Sequence, residues 1–365
     1  MARIETNKCP NCGGAIEFDP NKQMLKCPYC EGEFPIESVR EFNEAEKEAV
    51  EDNMNWDVYS SDTGNGDWTG EEKENISAYV CQSCGGEIIA DKETAATSCP
   101  YCGNPVILPK QFEGMFKPDY VIPFKFDKNS AKNALKNFYK GKILLPKEFK
   151  TDNKIEEVQG LYVPYWLFDC DSKADMRFKA TRVRTWSDSK FRYVKTSHFS
   201  LVRNGEVSFE KIPVDGSSKI EDKYSEAIEP FDYKQSEAFQ TAYLTGYLAD
   251  KYDVSAEQCV PRANERIRES TIEEFRKTVI GYDTVNLISS NINILQGDIK
   301  YTMLPMWILN TNYHGKKYTF AMNGQTGKIV GELPTDRLKF WLMSSGIFAG
   351  LTAVASVVVA MLFGG

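Results

Sequence analysis

The sequence predicts a multidomain chain: two small cysteine ribbons, an α+β body of mainly antiparallel strands, and one C-terminal transmembrane helix. Three observations lead there. Eight of the ten cysteines fall into two sets of identical spacing. An apolar stretch without a single charge covers residues 340–363. Between them, strand-like pieces bounded by Pro and Asn-Gly alternate with helical periodicity. The chain has 365 residues, 42% of them hydrophobic and 26% charged, which suits about two or more domains with real cores. A wholly disordered chain, a collagen and a polytopic membrane protein are excluded. Ten cysteines are too few in so long a chain for a disulfide scaffold.

The first ribbon is expected over residues 1–37 and the second over 78–108. Cys9, Cys12, Cys27 and Cys30 read C-x2-C-x14-C-x2-C; Cys81, Cys84, Cys99 and Cys102 repeat that spacing 72 residues on. Cys-x-x-Cys-Gly-Gly opens both copies and Cys-Pro-Tyr-Cys closes both, so the unit is an internal repeat. Four thiolates close a tetrahedral shell round one metal ion, each pair supplying two sulfurs from one tight turn. A module of this size buries too little apolar surface to fold alone, and the metal supplies the rest. The spacing therefore predicts two zinc ions, in preference to iron, in rubredoxin-like ribbons. Such sites are structural, because four protein ligands leave no position for water. The rival reading of Cys-Pro-Tyr-Cys is a thiol redox site. That site needs a strand before it and a helix after it, whereas each copy here is half of a four-cysteine set. Cys170 and Cys259 are left over and read as ordinary half-buried thiols.

Residues 38–77 carry the acidity. Residues 41–80 hold 12 acidic against 2 basic side chains, while 81–365 hold 34 against 37. A short acidic helix is expected first, then a flexible linker containing Trp56, Tyr59 and Trp68. Those aromatics either dock a partner or fold back on the chain, and the sequence does not choose between the two.

The α+β body is expected over residues 117–335. Three pieces share a pattern: Val121-Ile122-Pro123-Phe124, Val163-Pro164-Tyr165-Trp166 and Leu304-Pro305-Met306-Trp307. A proline within a strand marks an edge or a bulge, so these read as repeated β units. Hairpins are expected at Asn204-Gly205 and Asn323-Gly324. Helices are expected near 129–140, 234–250 and 255–278. Residues 340–363 then give 24 residues, about 36 Å as a helix against about 30 Å of hydrocarbon. Arg337 and Lys339 precede them, so the positive-inside rule places the bulk of a single-pass, tail-anchored chain in the cytoplasm. Gly346 and Gly350 form a GxxxG pair that suits a homodimer. The N-terminus lacks a secretory signal.

No catalytic constellation emerges, and the chain is read as not an enzyme. The two histidines, His198 and His314, belong to no metalloprotease or nucleophile motif. Asn323-Gly-Gln-Thr-Gly-Lys328 lacks the first glycine and the hydroxyl of a phosphate loop and reads as a turn. The net charge of −8, made more negative by two formally dianionic metal sites, weakens the electrostatic term of nucleic-acid binding.

The combination of CPNCGG, CQSCGGEI, DKETAATSCPYCGNP, LYVPYWLFD and YTFAMNGQTGKIVGELP resembles a bacterial family of membrane proteins with a TFIIB-type zinc ribbon. The resemblance covers nearly the whole chain. Relatives are often described as similar to the primosomal replication-restart helicase. This sequence has no Walker A loop, so helicase activity is not carried over. Relatives are also encoded beside phage-shock protein A and flotillin-like membrane proteins, which implies recruitment of such proteins during envelope stress. The expected function is thus a non-enzymatic adaptor at the cytoplasmic face of the membrane. The alternative is a nucleic-acid-binding ribbon protein of replication or transcription, and a third class is a thiol redox sensor.

Overall fold

The computed structural model describes residues 8–47, 52–54, 56, 68–91, 98–104, 107–110, 116–152 and 157–363. Tyr59 and most of the expected linker lie outside them. In chain order the elements are β1 (Glu17–Asp19), β2 (Met24–Lys26), β3 (Glu33–Phe34), α1 (Ile36–Lys47), α2 (Gly70–Glu74), β4 (Ile76–Cys81), β5 (Glu87–Asp91), β6 (Ile107–Lys110), β7 (Tyr120–Val121), α3 (Lys128–Phe138) and α4 (Lys147–Asp152). There follow β8 (Gln159–Ser187), β9 (Arg192–Asp215), α5 (Asp222–Ser225), β10 (Glu237–Ala238), β11 (Leu248–Asp250), α6 (Ala256–Lys277), β12 (Thr284–Tyr313), β13 (Lys316–Asn323), β14 (Ile329–Gly331) and α7 (Arg337–Phe363). The chain divides into two compact units, each assembled from separate stretches.

The first unit takes Met1–Ser61, Leu167–Val214 and Glu257–Ile299. Its N-terminal part is a small antiparallel sheet, β1-β2-β3, with Leu25 opposite both Phe18 and Phe34. Helix α1 buries Val39 and Phe42, and Asn43 ties it back by accepting from the Lys8 N–H at 2.9 Å. The rest is the long hairpin of β8 and β9 with α6 and the first part of β12. Alternate residues Ala174, Met176 and Phe178 of β8 face one way, as the two-residue strand period demands, and pack with Phe275, Val279 and Ile292. Along α6, Cys259, Ala263, Ile267, Thr271 and Phe275 recur every four residues as a buried stripe. Asn204-Gly205 is not a turn, contrary to the sequence expectation: both residues lie within β9. The hairpin turns at 188–191 instead, where the Asp188 carboxylate accepts from the N–H groups of Lys190 and Phe191. A short side chain that bonds its own backbone directs the turn as well as Asn-Gly would.

Trp56 answers the question left open by the sequence. Its indole donates to Asn264 Oδ1 at 2.6 Å and stands edge-on to Phe168 at 5.1 Å. Gly297 lies flat against the ring, where a Cβ would come within 2.4 Å of it. Asp52 accepts from Arg268 and from the Ile292 N–H, so Asp52 and Trp56 hold on to α6 and Asp52 links it to β12.

The second unit takes Asp62–Trp166, Asp215–Ala256 and Lys300–Gly365. Its sheet runs β10-β7-β12-β8-β11-β5-β4-β6, with β13 and β14 beside β12. The β11–β8 and β12–β7 pairs are parallel. The β10–β7, β11–β5, β12–β13, β13–β14, β4–β5 and β4–β6 pairs are antiparallel. Trp68 is buried here, edge-on to Phe239 at 5.7 Å. Residues 70–74, within the expected linker, form α2, closed by a capping box between Thr69 and Glu72. Helix α3 matches its expectation, with Asp127 capping the Ser130 N–H and Ala131 and Leu135 buried.

The repeated proline pieces do not lie at an edge. Pro164 and Pro305 sit in β8 and β12, which are interior in the sheet order. Pro305 marks the place where β12 changes partner. β7 pairs with Thr302 and Met303, whereas β13 pairs from Met306 onward. A proline has no N–H to give a ladder, so the break falls where none is needed. The two copies also share contacts. The Pro164 carbonyl accepts from Gly216 N–H and the Pro305 carbonyl from Gly324 N–H. Trp166 donates to the Val254 carbonyl and Trp307 to the Phe126 carbonyl.

The helix expected over 234–250 is corrected to β10, a 3-10 turn at Thr241–Leu244 and β11. Gly246 at φ +82° breaks the helical path. The gain is burial of all of Leu248–Asp250 between β8 and β5. Asn323–Lys328 is the expected turn. Asn323 Oδ1 accepts from the Gln325 and Thr326 N–H groups, leaving no phosphate cradle.

Candidate metal centres

Each cysteine pair is set by one backbone device. The Cys9 carbonyl accepts from Gly13 N–H and its own N–H reaches the Gly14 carbonyl. Cys27 makes the same two bonds with Glu31 and Gly32, Cys81 with Gly85 and Gly86, and Cys99 with Gly103 and Asn104. The fifth residue of each turn is left-handed: Gly13 at φ +74°, Glu31 at +58°, Gly85 at +68° and Gly103 at +73°. Three of the four are glycine, as that conformation favours.

These turns bring the predicted ligands together in two groups. All four sulfurs of Cys9, Cys12, Cys27 and Cys30 lie within 4.8 Å of one another, and the same holds for Cys81, Cys84, Cys99 and Cys102. The Cys12–Cys27 sulfurs are 3.5 Å apart, and Cys9–Cys30, Cys81–Cys102 and Cys84–Cys99 are each 3.6 Å. A disulfide needs about 2.05 Å, so all are free thiols. A tetrahedral shell with metal–sulfur bonds of about 2.3 Å spaces its sulfurs by about 3.8 Å, so the donor set fits a metal ion. Within each pair the first cysteine is buried and the second reaches the rim.

Burial raises the Cys9 thiol to about 12 and Cys99 higher still. Burial also opposes ionisation of Cys27, but the N–H groups of Cys30 and Tyr29 outweigh it and bring that thiol down to about 7. The N–H groups of Cys84 and Ser83 do the same for Cys81. A cation inside the shell is what permits four thiolates at once.

Two further features were not read from the sequence. The second glycine of each Cys-Gly-Gly is bare because the tyrosine of Cys-Pro-Tyr-Cys lies on it. A Cβ at Gly14 would meet Tyr29 at 2.7 Å, and one at Gly86 would meet Tyr101 at 2.6 Å. Recurrence of both Gly-Gly and Tyr in the two copies was the available signal. Each cluster also receives a lysine from the body of its own unit. Lys179 Nζ donates to the Pro10 and Asn11 carbonyls, and Lys317 Nζ to the Tyr101 carbonyl. Distant in sequence, these had no local signature.

The clusters differ in their setting. Tyr29 is 75% exposed, whereas Tyr101 is 4% exposed and joins a core with Ile88, Ile122, Tyr165 and Leu304. The strands flanking Cys81 continue the main sheet of the second unit through Ile89 opposite Ala249 and Ile88 opposite Asp250. Asn310 donates to the Pro100 carbonyl, and Gln159 to Ser98 Oγ at 2.6 Å. Close to Tyr101 lies a buried carboxyl pair. Burial raises Asp215 to about 8 and Asp250 to about 7, the Ser217 hydroxyl opposing the rise at Asp250. Cys170 and Cys259 are buried apart from both clusters. His198 lies in β9 and His314 in the β12–β13 turn.

Helix α7 is long and apolar enough to cross a membrane. Its segment Arg337–Val358 contains an 18-residue stretch of mean hydropathy 1.7, none of it buried within the protein.

No known protein-family profile matches the chain. No solved structure matches it either. The chain is 36% identical over 362 residues to the uncharacterised protein YdjG of Bacillus subtilis (strain 168), covering 99% of each. With that identity along almost the whole of both chains, the chain belongs to the family of YdjG.

Proposed function

We propose that the protein is a non-enzymatic membrane adaptor. Two rubredoxin-like zinc ribbons, with Cys9, Cys12, Cys27 and Cys30 on one ion and Cys81, Cys84, Cys99 and Cys102 on the other, shape docking surfaces on the cytoplasmic side. Helix α7 anchors the chain by a single pass and pairs two copies through Gly346 and Gly350. The observation that carries this reading is the pairing of two closed four-sulfur shells with one unburied apolar helix. Closed shells organise a surface and leave no coordination position for a substrate. Phage-shock and flotillin-like membrane proteins are the partners that the family resemblance implies, with envelope stress as the setting.

The test is capture of the full-length chain from native membranes with nuclease present. Membrane-stress proteins that remain bound, and are lost from the Cys81→Ser, Cys84→Ser variant, are the expected result. Partners that vanish with nuclease, with a steep salt dependence of binding, would replace the adaptor by the nucleic-acid reading.

A further inference from the structure

The tip of the β8–β9 hairpin, in the first unit, is used by neither metal centre. Residues 183–196 are all exposed. Trp186 is 51%, Phe191 62% and Tyr193 39% exposed, and Val183 and Val194, at alternate strand positions, are exposed on the other face of the hairpin. Scattered exposed hydrophobics are ordinary, but a group this dense marks an interaction surface.

The tip is also built rather than loose. The Asp188 N–H donates to the Phe191 carbonyl at 2.9 Å, closing the turn. Asp188 Oδ2 accepts from Tyr193 Oη at 2.8 Å. Trp186 stacks on Tyr193 with centroids 5.5 Å apart, and Phe191 stands edge-on to Tyr193 at 6.4 Å.

The charge is opposite to that of the chain. Residues 182–195 hold five basic side chains and one acidic, in a protein of net −8. The one acid, Asp188, is consumed by the turn. Arg182 is committed to the Gly281 carbonyl and to the rings of Phe199 and Tyr282. Arg184, Lys190, Arg192 and Lys195 have no carboxylate partner among the described residues.

We propose that this tip docks on an anionic lipid bilayer. Trp186, Phe191 and Tyr193 enter the headgroup layer, where amphipathic rings reside, and the four cations meet lipid phosphates. Two features favour lipid over single-stranded nucleic acid. Trp186 and Tyr193 each cover one face of the other, which halves the ring surface open to stacked bases. Val183 and Val194 add aliphatic surface that suits acyl chains. The proposal rests on the reading of α7 as an anchor only in that an anchored chain holds its tip near a bilayer.

The test uses the full-length chain reconstituted into phosphatidylcholine vesicles and into vesicles rich in phosphatidylglycerol. Tryptic cleavage after Lys190 is measured against cleavage after Lys277 of the same molecules. Anionic vesicles should slow cleavage after Lys190 roughly tenfold, and high salt should abolish the protection. A Trp186→Ala, Phe191→Ala variant should lose it, as should an Arg184→Gln, Arg192→Gln, Lys195→Gln variant that keeps the aromatic cluster. Equal cleavage in both vesicle types would overturn the proposal. So would protection by a single-stranded oligonucleotide in phosphatidylcholine vesicles with none from anionic lipid. Retention on vesicles through an alkaline wash reads the α7 anchor separately, so failure of the anchor and failure of the tip are distinguished.

Discussion

The two cysteine clusters share spacing, turn geometry and a tyrosine laid on a glycine, yet they stand in different surroundings. The first rests on three short strands and one helix, with Tyr29 in water. The second is carried by strands of a large sheet, with Tyr101 among core residues. A motif of fixed spacing thus dictates how the four sulfurs are gathered into a set that could hold a metal. Its neighbours dictate what else depends on that metal.

The largest expected effect separates the two sites directly. Cys81→Ser with Cys84→Ser should cost the second unit at least about 3 kcal/mol, because β4 and β5 would lose their turns while still joined to β11. Cys9→Ser with Cys12→Ser should open β1–β3 and leave the second unit folded. Hydrogen exchange by mass spectrometry reads this: amides of β5 and β11 should become labile only in the first variant. Equal exchange in both variants would break the comparison.

The tyrosines sharpen it. Tyr101→Ala should cost about 3–5 kcal/mol, as large-to-small changes in a core do, against roughly 0.5 kcal/mol or less for Tyr29→Ala at the surface. Denaturant unfolding of the two variants checks the ratio.

A pH dependence should belong to the second unit. Asp250 is buried and raised to about 7 in the folded protein. A raised carboxyl contributes stability that is complete below about pH 4, its ordinary value, and is lost as pH rises through 7. Asp250→Asn should therefore stabilise the protein by roughly 1–3 kcal/mol more at pH 8 than at pH 5. A thermal-unfolding series from pH 5 to 9 tests the sign. The smallest effect concerns Glu31, which sits at φ +58° where the other three turns place glycine. Glu31→Gly should gain about 1 kcal/mol within the first ribbon, read by protection of β2 and β3 amides.

Much of the candidate site was legible in the sequence because its information is local. Cys-x2-Cys fixes a turn, and the 72-residue repeat pairs the sets. Helix α7 and helix α6 were legible for the same reason, through composition and period. Long-range information was not. Lys179 and Lys317 reach the clusters across more than 160 residues. Leu248–Asp250 became a strand because β8 and β5 offered a buried slot, which no window of sequence displays. Trp56 and Trp68 lie in an acidic stretch whose sequence leaves docking and folding back equally open, and both are packed, one against α6 and one against Phe239. Asn204-Gly205 was overruled by Asp188, whose carboxylate closes the hairpin elsewhere.

Both four-cysteine sets should be closed metal sites of one chemistry in two settings. X-ray absorption at the metal edge, with the metal content of the purified full-length chain, tests it most directly. Two zinc ions per chain are expected, each with four sulfur neighbours at about 2.3 Å, and loss of one ion when either set is mutated. A single ion, or nitrogen or oxygen in the shell, would contradict it.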